Sequence, residues 1–182
     1  GPYTLIMASP VPASIVKRRT EGVKAMLLPR GHEPMDNSAY PWLLAGAKTL
    51  SYAVNMAVLR YVQERGADDA IFITDERRVL EGATSSVLVA KIEDGKKVLY
   101  TPEPSHGILP GTTQGAVFEA ARQAGWELGF GPLYPQDLFE SDGVWLASSV
   151  RLIAPVTHLN GTALAHDPEL TATLLNYLAQ QS

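Results

Sequence analysis

The sequence predicts an α+β (mixed α/β) domain, and two patterns support this prediction. Apolar residues recur at three-and-four spacing in some segments, which is typical of amphipathic helices. Short β-prone runs bounded by turn residues alternate with those segments. Because 46% of the 182 residues are hydrophobic, the chain can form a sizeable core. We therefore expect one compact unit in which helices flank a mixed β-sheet.

The elements follow from these local patterns. Strands are predicted at residues 3–7, 22–29, 70–74, 86–92, 97–101, 126–130, 143–147 and 156–159. Helices are predicted at residues 49–64, 112–124, 134–140 and 168–180. Residues 30–40, rich in Gly, Pro, Asp and Asn, predict a loop, and 75–78 a polar turn. The Asn160-Gly161 pair predicts a hairpin turn, and Lys17-Arg18-Arg19 a solvated turn.

Composition narrows the classes of partner and site. The formal net charge of −4 and the pI near 5.5 give no basic surface for nucleic acid or an anionic membrane, so small molecules are the expected partners. The chain has no cysteine, which excludes disulfides, thiol nucleophiles and thiolate metal sites, and its four histidines are scattered. We expect no metal, no membrane span and a cytoplasmic location.

Four short segments contain the residues typical of one kind of chemistry. They are Ala47 to Asn55, Leu80 to Ser86, Gly107 to Gln114, and Ala147 to Ser149 with Pro155-Val156 downstream. In this order they resemble the cofactor motifs of the class IV pyridoxal-phosphate enzymes, the family of branched-chain and D-amino-acid aminotransferases and aminodeoxychorismate lyase. The resemblance extends from about Val23 onward.

The resemblance implies a fold, a cofactor and an assembly. The fold would be that of the large domain of a fold type IV enzyme, with a mixed or barrel-like sheet. The cofactor would be pyridoxal 5'-phosphate and the partner a small-molecule amino substrate. A homodimer with its active site near the subunit boundary is also implied.

Lys48 is the predicted catalytic residue. A lysine that forms a Schiff base must be uncharged near neutral pH, and desolvation favours that form. Lys48 follows the apolar and small run 42–47. By resemblance, it binds the cofactor covalently and then moves the proton at the substrate's α-carbon. The alternative is a solvated lysine at the start of a helix.

Glu81 is the predicted partner of the cofactor's ring nitrogen. A carboxylate hydrogen-bonded to that nitrogen keeps it protonated, which helps the cofactor to stabilise a carbanion. Glu81-Gly82-Ala83 reproduces the family's E-G-A motif. The alternative is an exposed glutamate in a turn.

Thr112, Thr113, Ser148 and Ser149 are the predicted phosphate ligands. A helix that begins after Gly111 offers unpaired N–H groups and a positive dipole end to an anion. The family motif is usually L-P-G-I-T-R, and this chain has threonine in place of isoleucine and glutamine in place of arginine. The threonines could instead act as helix caps, and the serines could be an ordinary strand end.

Further candidate residues lie in or near these motifs. Tyr52 lies one turn beyond Lys48 and could reach the cofactor, although an aromatic residue at this spacing is more often part of a core. Asn55 is a further candidate. Arg151 could bind a substrate carboxylate or lie on the surface. His32 and His106 fall in predicted loops and are minor candidates for substrate contact.

The family's members carry a smaller N-terminal domain ahead of the region that this sequence resembles. We therefore predict that residues 1–12 are an interdomain segment or the tail of such a domain, and that residues 13–182 form the cofactor-binding large domain. Without the small domain we expect weak cofactor binding and little turnover, since water exclusion and substrate positioning would be lost.

Two reactions are compatible with these motifs. The lyase converts 4-amino-4-deoxychorismate to 4-aminobenzoate and pyruvate, and an aminotransferase acts on D-amino or branched-chain amino acids. The Lys48-Thr49-Leu50 sequence lacks the G-G-N that branched-chain enzymes tend to have after the lysine, and so resembles the aminodeoxychorismate lyase and D-amino-acid aminotransferase branches more closely. Of these two reactions we favour the lyase. A non-catalytic module that retains the fold is the alternative of another class. A serine hydrolase is disfavoured because no G-x-S-x-G motif is present.

Overall fold

A computed structural model describes residues 1–31, 47–104 and 107–180. The helices are α1 (Ala13–Glu21), α2 (Ala53–Gln63), α3 (Thr112–Gln123), α4 (Pro135–Phe139) and α5 (Pro168–Ala179). The strands are β1 (Val23–Pro29), β2 (Asp69–Ile73), β3 (Val79–Gly82), β4 (Ser86–Glu93), β5 (Lys96–Pro102), β6 (Glu127–Gly131), β7 (Gly143–Ser148), β8 (Leu152–Leu159) and β9 (Thr162–Ala163).

The nine described strands form one mixed sheet in the order β3-β2-β1-β8-β7-β4-β5-β6, with β9 paired to β8. Strand β1 runs parallel to both β2 and β8, and β5 runs parallel to β6. The other pairs are antiparallel. This topology confirms the predicted mixed α/β class.

The two faces of the sheet bury separate cores. On one face, α3 and α5 cover Trp145, whose indole N–H donates to Thr171 Oγ at 3.0 Å. On the other face, side chains from distant strands pack against one another. They also pack against Leu138 of α4 and against Leu133, which precedes that helix. The sheet therefore curls around this second core, as the barrel-like prediction requires. Among the described residues, no helix has the length and apolar character needed to cross a membrane.

Most predicted elements are confirmed. Strands β1, β2 and β4 to β8, the hairpin at Asn160-Gly161 and helices α3 to α5 lie within a few residues of their predicted bounds. Both hairpin residues have positive φ, 51° and 83°, as a tight turn of this kind requires. Strand β3 was not predicted because four residues beside a polar turn are too few for a clear pattern.

Two predictions at the N-terminus are wrong. Residues 3–7 form no strand, and Tyr3 is 100% and Met7 84% exposed. A β-prone run becomes a strand only when a neighbour pairs with its backbone, and the described chain provides none there. Lys17-Arg18-Arg19 is not a turn but lies in α1. Pro12 precedes this helix, and Gly22, with φ 79°, follows it.

Helix α2 begins later than the predicted residue 49. Its first residue is Ala53, and Tyr52 stands at the N-cap position. Lys48 therefore lies in the irregular segment that precedes the helix and not in its first turn. The predicted loop at 30–40 falls mostly outside the described residues.

Candidate active site

Glu81 lies on β3, one residue before Gly82, and both of its carboxylate oxygens accept hydrogen bonds. Arg30 Nη1 donates to Oε1 at 2.9 Å, and the backbone N–H of Leu109 donates to Oε2 at 3.2 Å. Arg30 follows β1, and Leu109 precedes α3. The carboxylate thus connects the end of β1 with the loop that leads into α3.

The environment of Glu81 is largely buried and positively charged. Burial raises the pKa of Glu81 above the usual 4.5, because a low-dielectric surrounding disfavours the charged form. The charge of Arg30, the hydrogen bond from Leu109 and the charge of Lys48 each oppose this rise. Glu81 is therefore not the exposed turn residue of the alternative interpretation.

The N-terminus of α3 lies directly against the start of β4. Gly111 is the N-cap residue, and as a glycine it has no side chain with which to cap the helix. A Cβ built on Gly111 would lie 2.3 Å from Ser86 Oγ, so the hydroxyl of Ser86 occupies the space that a side chain would need. Thr112 is exposed and Thr113 buried in the first turn.

Ser148 and Ser149 reach the same region from the opposite strand. Strands β4 and β7 are antiparallel, and Ser86 is paired with Ala147. The end of β7 therefore lies beside Ser86, which has Gly111 on its other side. Ser148 is partly buried and Ser149 exposed. The fold thus brings three of the four predicted motifs together at Ser86, the last residue of the second motif, which was not itself predicted as a site residue.

Lys48 is exposed, and its Nζ donates to Tyr52 Oη at 2.8 Å. The ammonium also lies 5.3 Å from the centre of the Tyr52 ring. Its expected desolvation is not seen in the described part of the chain. Its charge nevertheless acts on Glu81, and the side-chain amide of Asn55 donates to Ala83 O, which ties α2 to the Glu81-Gly82-Ala83 segment.

Arg151 lies in the turn between β7 and β8, where it forms an ion pair. Its Nη1 is 2.7 Å from Asp69 Oδ2, and the two side chains are 11% and 0% exposed. From α1, Arg19 donates to the backbone oxygens of Val150 and Arg151, each at 3.0 Å. A contact between Arg151 and substrate stays a prediction. His32 and His106 lie outside the described residues.

Sequence reasoning missed Arg30, Ser86 and Asp69. Each is an ordinary residue in its local pattern, at a strand end or inside a strand. The only available signal was position, since Arg30 directly follows a strand and such ends often carry site residues. Its partner lies 51 residues away along the chain.

The donors and acceptors of the site suit an elongated ligand with two different ends. Glu81 can accept from a cationic N–H, and the first turn of α3 can bind an anion. Ser85 lies in the sequence between Glu81 and α3, and its buried Oγ makes no hydrogen bond within the described residues. An amine from Lys48 is available for covalent attachment.

The chain is similar to several known proteins. A bifunctional aminodeoxychorismate lyase / D-amino acid transaminase from Mycobacterium tuberculosis is 47% identical over 171 residues, which are 92% of this chain and 59% of that protein. The solved structure of a hypothetical aminotransferase from the same organism, in its PLP-bound form, aligns with a TM-score of 0.88 at 46% identity. That alignment covers 97% of this chain and 62% of the other.

A fold IV-transaminase from Curtobacterium pusillum aligns with a TM-score of 0.82 at 40% identity, over 92% of this chain and 56% of that one. The chain thus spans less than two thirds of the length of each of these relatives. The sequence signature of the amino-transferase class IV family matches residues 4–159. The chain therefore belongs to the class IV aminotransferase family and has its fold.

Proposed function

We propose that this chain is the cofactor-binding large domain of a pyridoxal-phosphate-dependent enzyme, with Lys48 as the cofactor lysine. The observation that supports this most directly is the arrangement around Glu81 and Ser86. On one side of the site, the Glu81 carboxylate keeps free acceptor positions. On the other side, the N-terminus of α3 has no side-chain cap and lies near the end of β7, where Ser148 and Ser149 are found. These are the donors and acceptors that a protonated pyridine and a phosphate require.

Each residue has a distinct role in this proposal. The cofactor, when bound, supplies an electron sink for negative charge at the carbon next to the substrate nitrogen. Glu81 accepts a hydrogen bond from the ring nitrogen. Lys48 provides the amine for covalent attachment and holds or returns the proton at the substrate's α-carbon, and Tyr52 orients that amine through the 2.8 Å hydrogen bond.

The phosphate would be bound at the N-terminus of α3. Thr112 and Thr113 contribute first-turn N–H groups, and the Thr113 hydroxyl adds a donor. Ser148 and Ser149 would complete the site from the end of β7, because the pairing of Ser86 with Ala147 brings that end close to α3.

For the whole protein we propose aminodeoxychorismate lyase activity, which releases pyruvate from 4-amino-4-deoxychorismate to leave 4-aminobenzoate. D-Amino-acid transamination is the second candidate, and a specific observation favours keeping it. The 47%-identical relative from M. tuberculosis bears both activities in its name. Both reactions require the same proton movement at Lys48, so the described residues serve either one.

We also propose a division of the chain and an assembly. Residues 13–182 would form the large domain, since α1 begins at Ala13, and residues 1–12 would connect it to a smaller domain. A cytoplasmic homodimer is the assembly that the family resemblance implies. Light scattering on the full-length protein would test the dimer.

The experiment on the cofactor uses the full-length protein and its absorption spectrum. Wild type incubated with pyridoxal 5'-phosphate and desalted should be yellow, and borohydride reduction should fix the label on the peptide that contains Lys48. Lys48→Ala should lose the label completely. Lys24→Ala, an exposed lysine on β1, is the control and should behave as wild type. A colourless wild-type protein would contradict the proposal and support a non-catalytic module.

A second experiment separates the two reactions. Incubation with 4-amino-4-deoxychorismate should yield fluorescent 4-aminobenzoate and an equal amount of pyruvate. Formation of pyridoxamine phosphate from D-alanine, with no 4-aminobenzoate, would instead identify a transaminase.

A further inference from the structure

Arg30 has no role in the proposal above, yet it makes the closest contact with Glu81. Its backbone N–H donates to Ile73 O at 3.0 Å, and its guanidinium carbon lies 5.7 Å from the centre of the Phe72 ring. Its Nη1 then donates to Glu81 Oε1 at 2.9 Å. The backbone of Arg30 is therefore held by β2, and its guanidinium lies between an aromatic face and the carboxylate.

The hydrogen bonds to Glu81 leave room for another donor. An ionised carboxylate offers about four acceptor positions. Arg30 takes one on Oε1 and the Leu109 N–H takes one on Oε2. A carboxylate that is held at both oxygens cannot rotate freely, and its remaining lone pairs have a defined direction.

The balance of burial and charge determines whether the carboxyl group is ionised and keeps its full set of acceptor positions. The side chains of Glu81 and Arg30 are only 16% and 25% exposed. A protonated carboxyl group carries an O–H donor on one oxygen, which leaves fewer and weaker acceptor positions for a ligand N–H. The positive groups that act on Glu81 are Arg30, which is in direct contact, and Lys48, whose effect is the smallest of those that act on it.

We propose that Arg30 is a positioning residue that keeps the Glu81 carboxylate ionised and oriented, so that its free lone pairs accept the ring N–H of the cofactor. This inference rests on the proposed function, because it assigns Glu81 to the ring nitrogen. Arg30 itself touches neither substrate nor cofactor in this scheme. Arginine suits this role because it stays charged at all relevant pH values and has a rigid planar donor set.

The first test measures Glu81 in the cofactor-free protein, without any assay of activity. The ¹³C resonance of its carboxyl carbon, assigned by its loss in Glu81→Gln, is followed across pH. Arg30→Met should raise the pKa of Glu81 further, because burial would then act with less opposition. Arg30→Lys, which keeps the positive charge, should bring the pKa of Glu81 part of the way back to the wild-type value. The matched control is Arg18→Met, which removes the arginine of a separate ion pair with Asp68 and should leave Glu81 unchanged.

The second test compares two ligands that differ at one atom. Pyridoxal 5'-phosphate and its 1-deaza analogue, in which carbon replaces the ring nitrogen, are titrated into wild type and into both Arg30 variants. Arg30→Met should weaken binding of pyridoxal 5'-phosphate by roughly tenfold or more, the size of a lost hydrogen bond to a charged group. Binding of the deaza analogue should change much less, whereas general damage to the fold would weaken both.

The outcomes separate this inference from the proposed function. If wild type binds both ligands and Arg30→Met weakens them equally, the positioning role is overturned while the cofactor assignment stands. An unchanged Glu81 titration in Arg30→Met also overturns it. If wild type binds neither ligand, the proposed function fails, and the inference fails with it.

Discussion

At the scale of single residues, the site depends on how two acidic groups in buried surroundings are compensated. Glu81 is matched by Arg30 and by one backbone N–H, and Asp69 is matched by Arg151. Burying a carboxylate without a partner is costly, so each of these pairs constrains the strands that carry it. The two pairs differ in one respect. Glu81 has acceptor positions that neither Arg30 nor the Leu109 N–H takes, which suits a functional group.

The first residue-scale prediction concerns the pH dependence of stability at Glu81. The pKa of Glu81 in the folded protein is raised above its value of about 4.5 in the unfolded chain. The folded state therefore binds the proton more tightly, and this contribution to stability is fully present below the unfolded pKa and is lost as pH rises through the folded pKa. Relative to Glu81→Gln, which has no such titration, wild type should lose unfolding free energy over that range. Urea denaturation of the cofactor-free protein from pH 4 to 8 measures the difference.

Glu119→Gln is the control for this prediction because it should give the opposite sign. The hydrogen bond from Arg122 lowers the pKa of Glu119, so wild type should gain stability relative to Glu119→Gln as pH rises from acid. A difference between wild type and Glu81→Gln that is flat or that rises with pH would contradict the environment described for Glu81.

At the scale of elements, the helices of the site are held with unequal strength. Helix α3 buries six residues against the sheet, whereas Val62 is the only buried residue of α2. The apolar stripe that predicted α2 is thus present but mostly exposed. The hydrogen bond from Asn55 to Ala83 O is therefore an important attachment of α2 to the segment that carries Glu81.

We predict that Asn55→Ala loosens α2 more than any other part of the fold. Loss of one partly buried hydrogen bond costs about 1 kcal/mol, which corresponds to roughly fivefold faster exchange of the α2 amides by local opening. Hydrogen-exchange mass spectrometry measures this, and α3 should keep its slower exchange. Asn176→Ala, the same change at an exposed position of α5, should leave α2 unaffected. Equal exchange rates for α2 in both variants would show that Asn55 is not the attachment.

At the scale of the whole molecule, one sheet connects the two strand-borne parts of the candidate site. Strands β1 to β3 contribute Arg30 and Glu81, and strands β4 and β7 contribute Ser86, Ser148 and Ser149. The pairing of β1 with β8 joins these two groups of strands. The ion pair between Asp69 on β2 and Arg151 after β7 links them a second time.

We predict that Arg151→Met destabilises the whole fold. The variant leaves the fully buried carboxylate of Asp69 without its cation, and breaking a buried pair in this way typically costs about 3–5 kcal/mol. Adding Asp69→Asn should recover part of that loss, because the uncompensated charge is then removed. Arg18→Met, in a pair about one third exposed, should cost less than about 1 kcal/mol. Chemical denaturation gives all three values, and a small effect of Arg151→Met would show that the pair contributes little.

The sequence by itself determined the local elements and the motifs. The spacing of apolar residues in α3 and α5 and the Asn160-Gly161 turn depend on interactions within a few residues, so they could be recognised without a structure. The Glu81-Gly82-Ala83 motif was recognisable for the same reason. Residues 3–7 were mistaken for a strand because β-propensity is local, whereas strand formation also needs a partner.

Only the tertiary structure decided which side chains meet. Arg30 and Glu81 are 51 residues apart, and Ser86 is brought between Gly111 and the end of β7 by the order of strands in the sheet. That order arises from the packing of two cores on opposite faces, which no single segment encodes. Charge compensation and burial are properties of such long-range contacts, and this is why the sequence identified Glu81 but not the arginine that pairs with it.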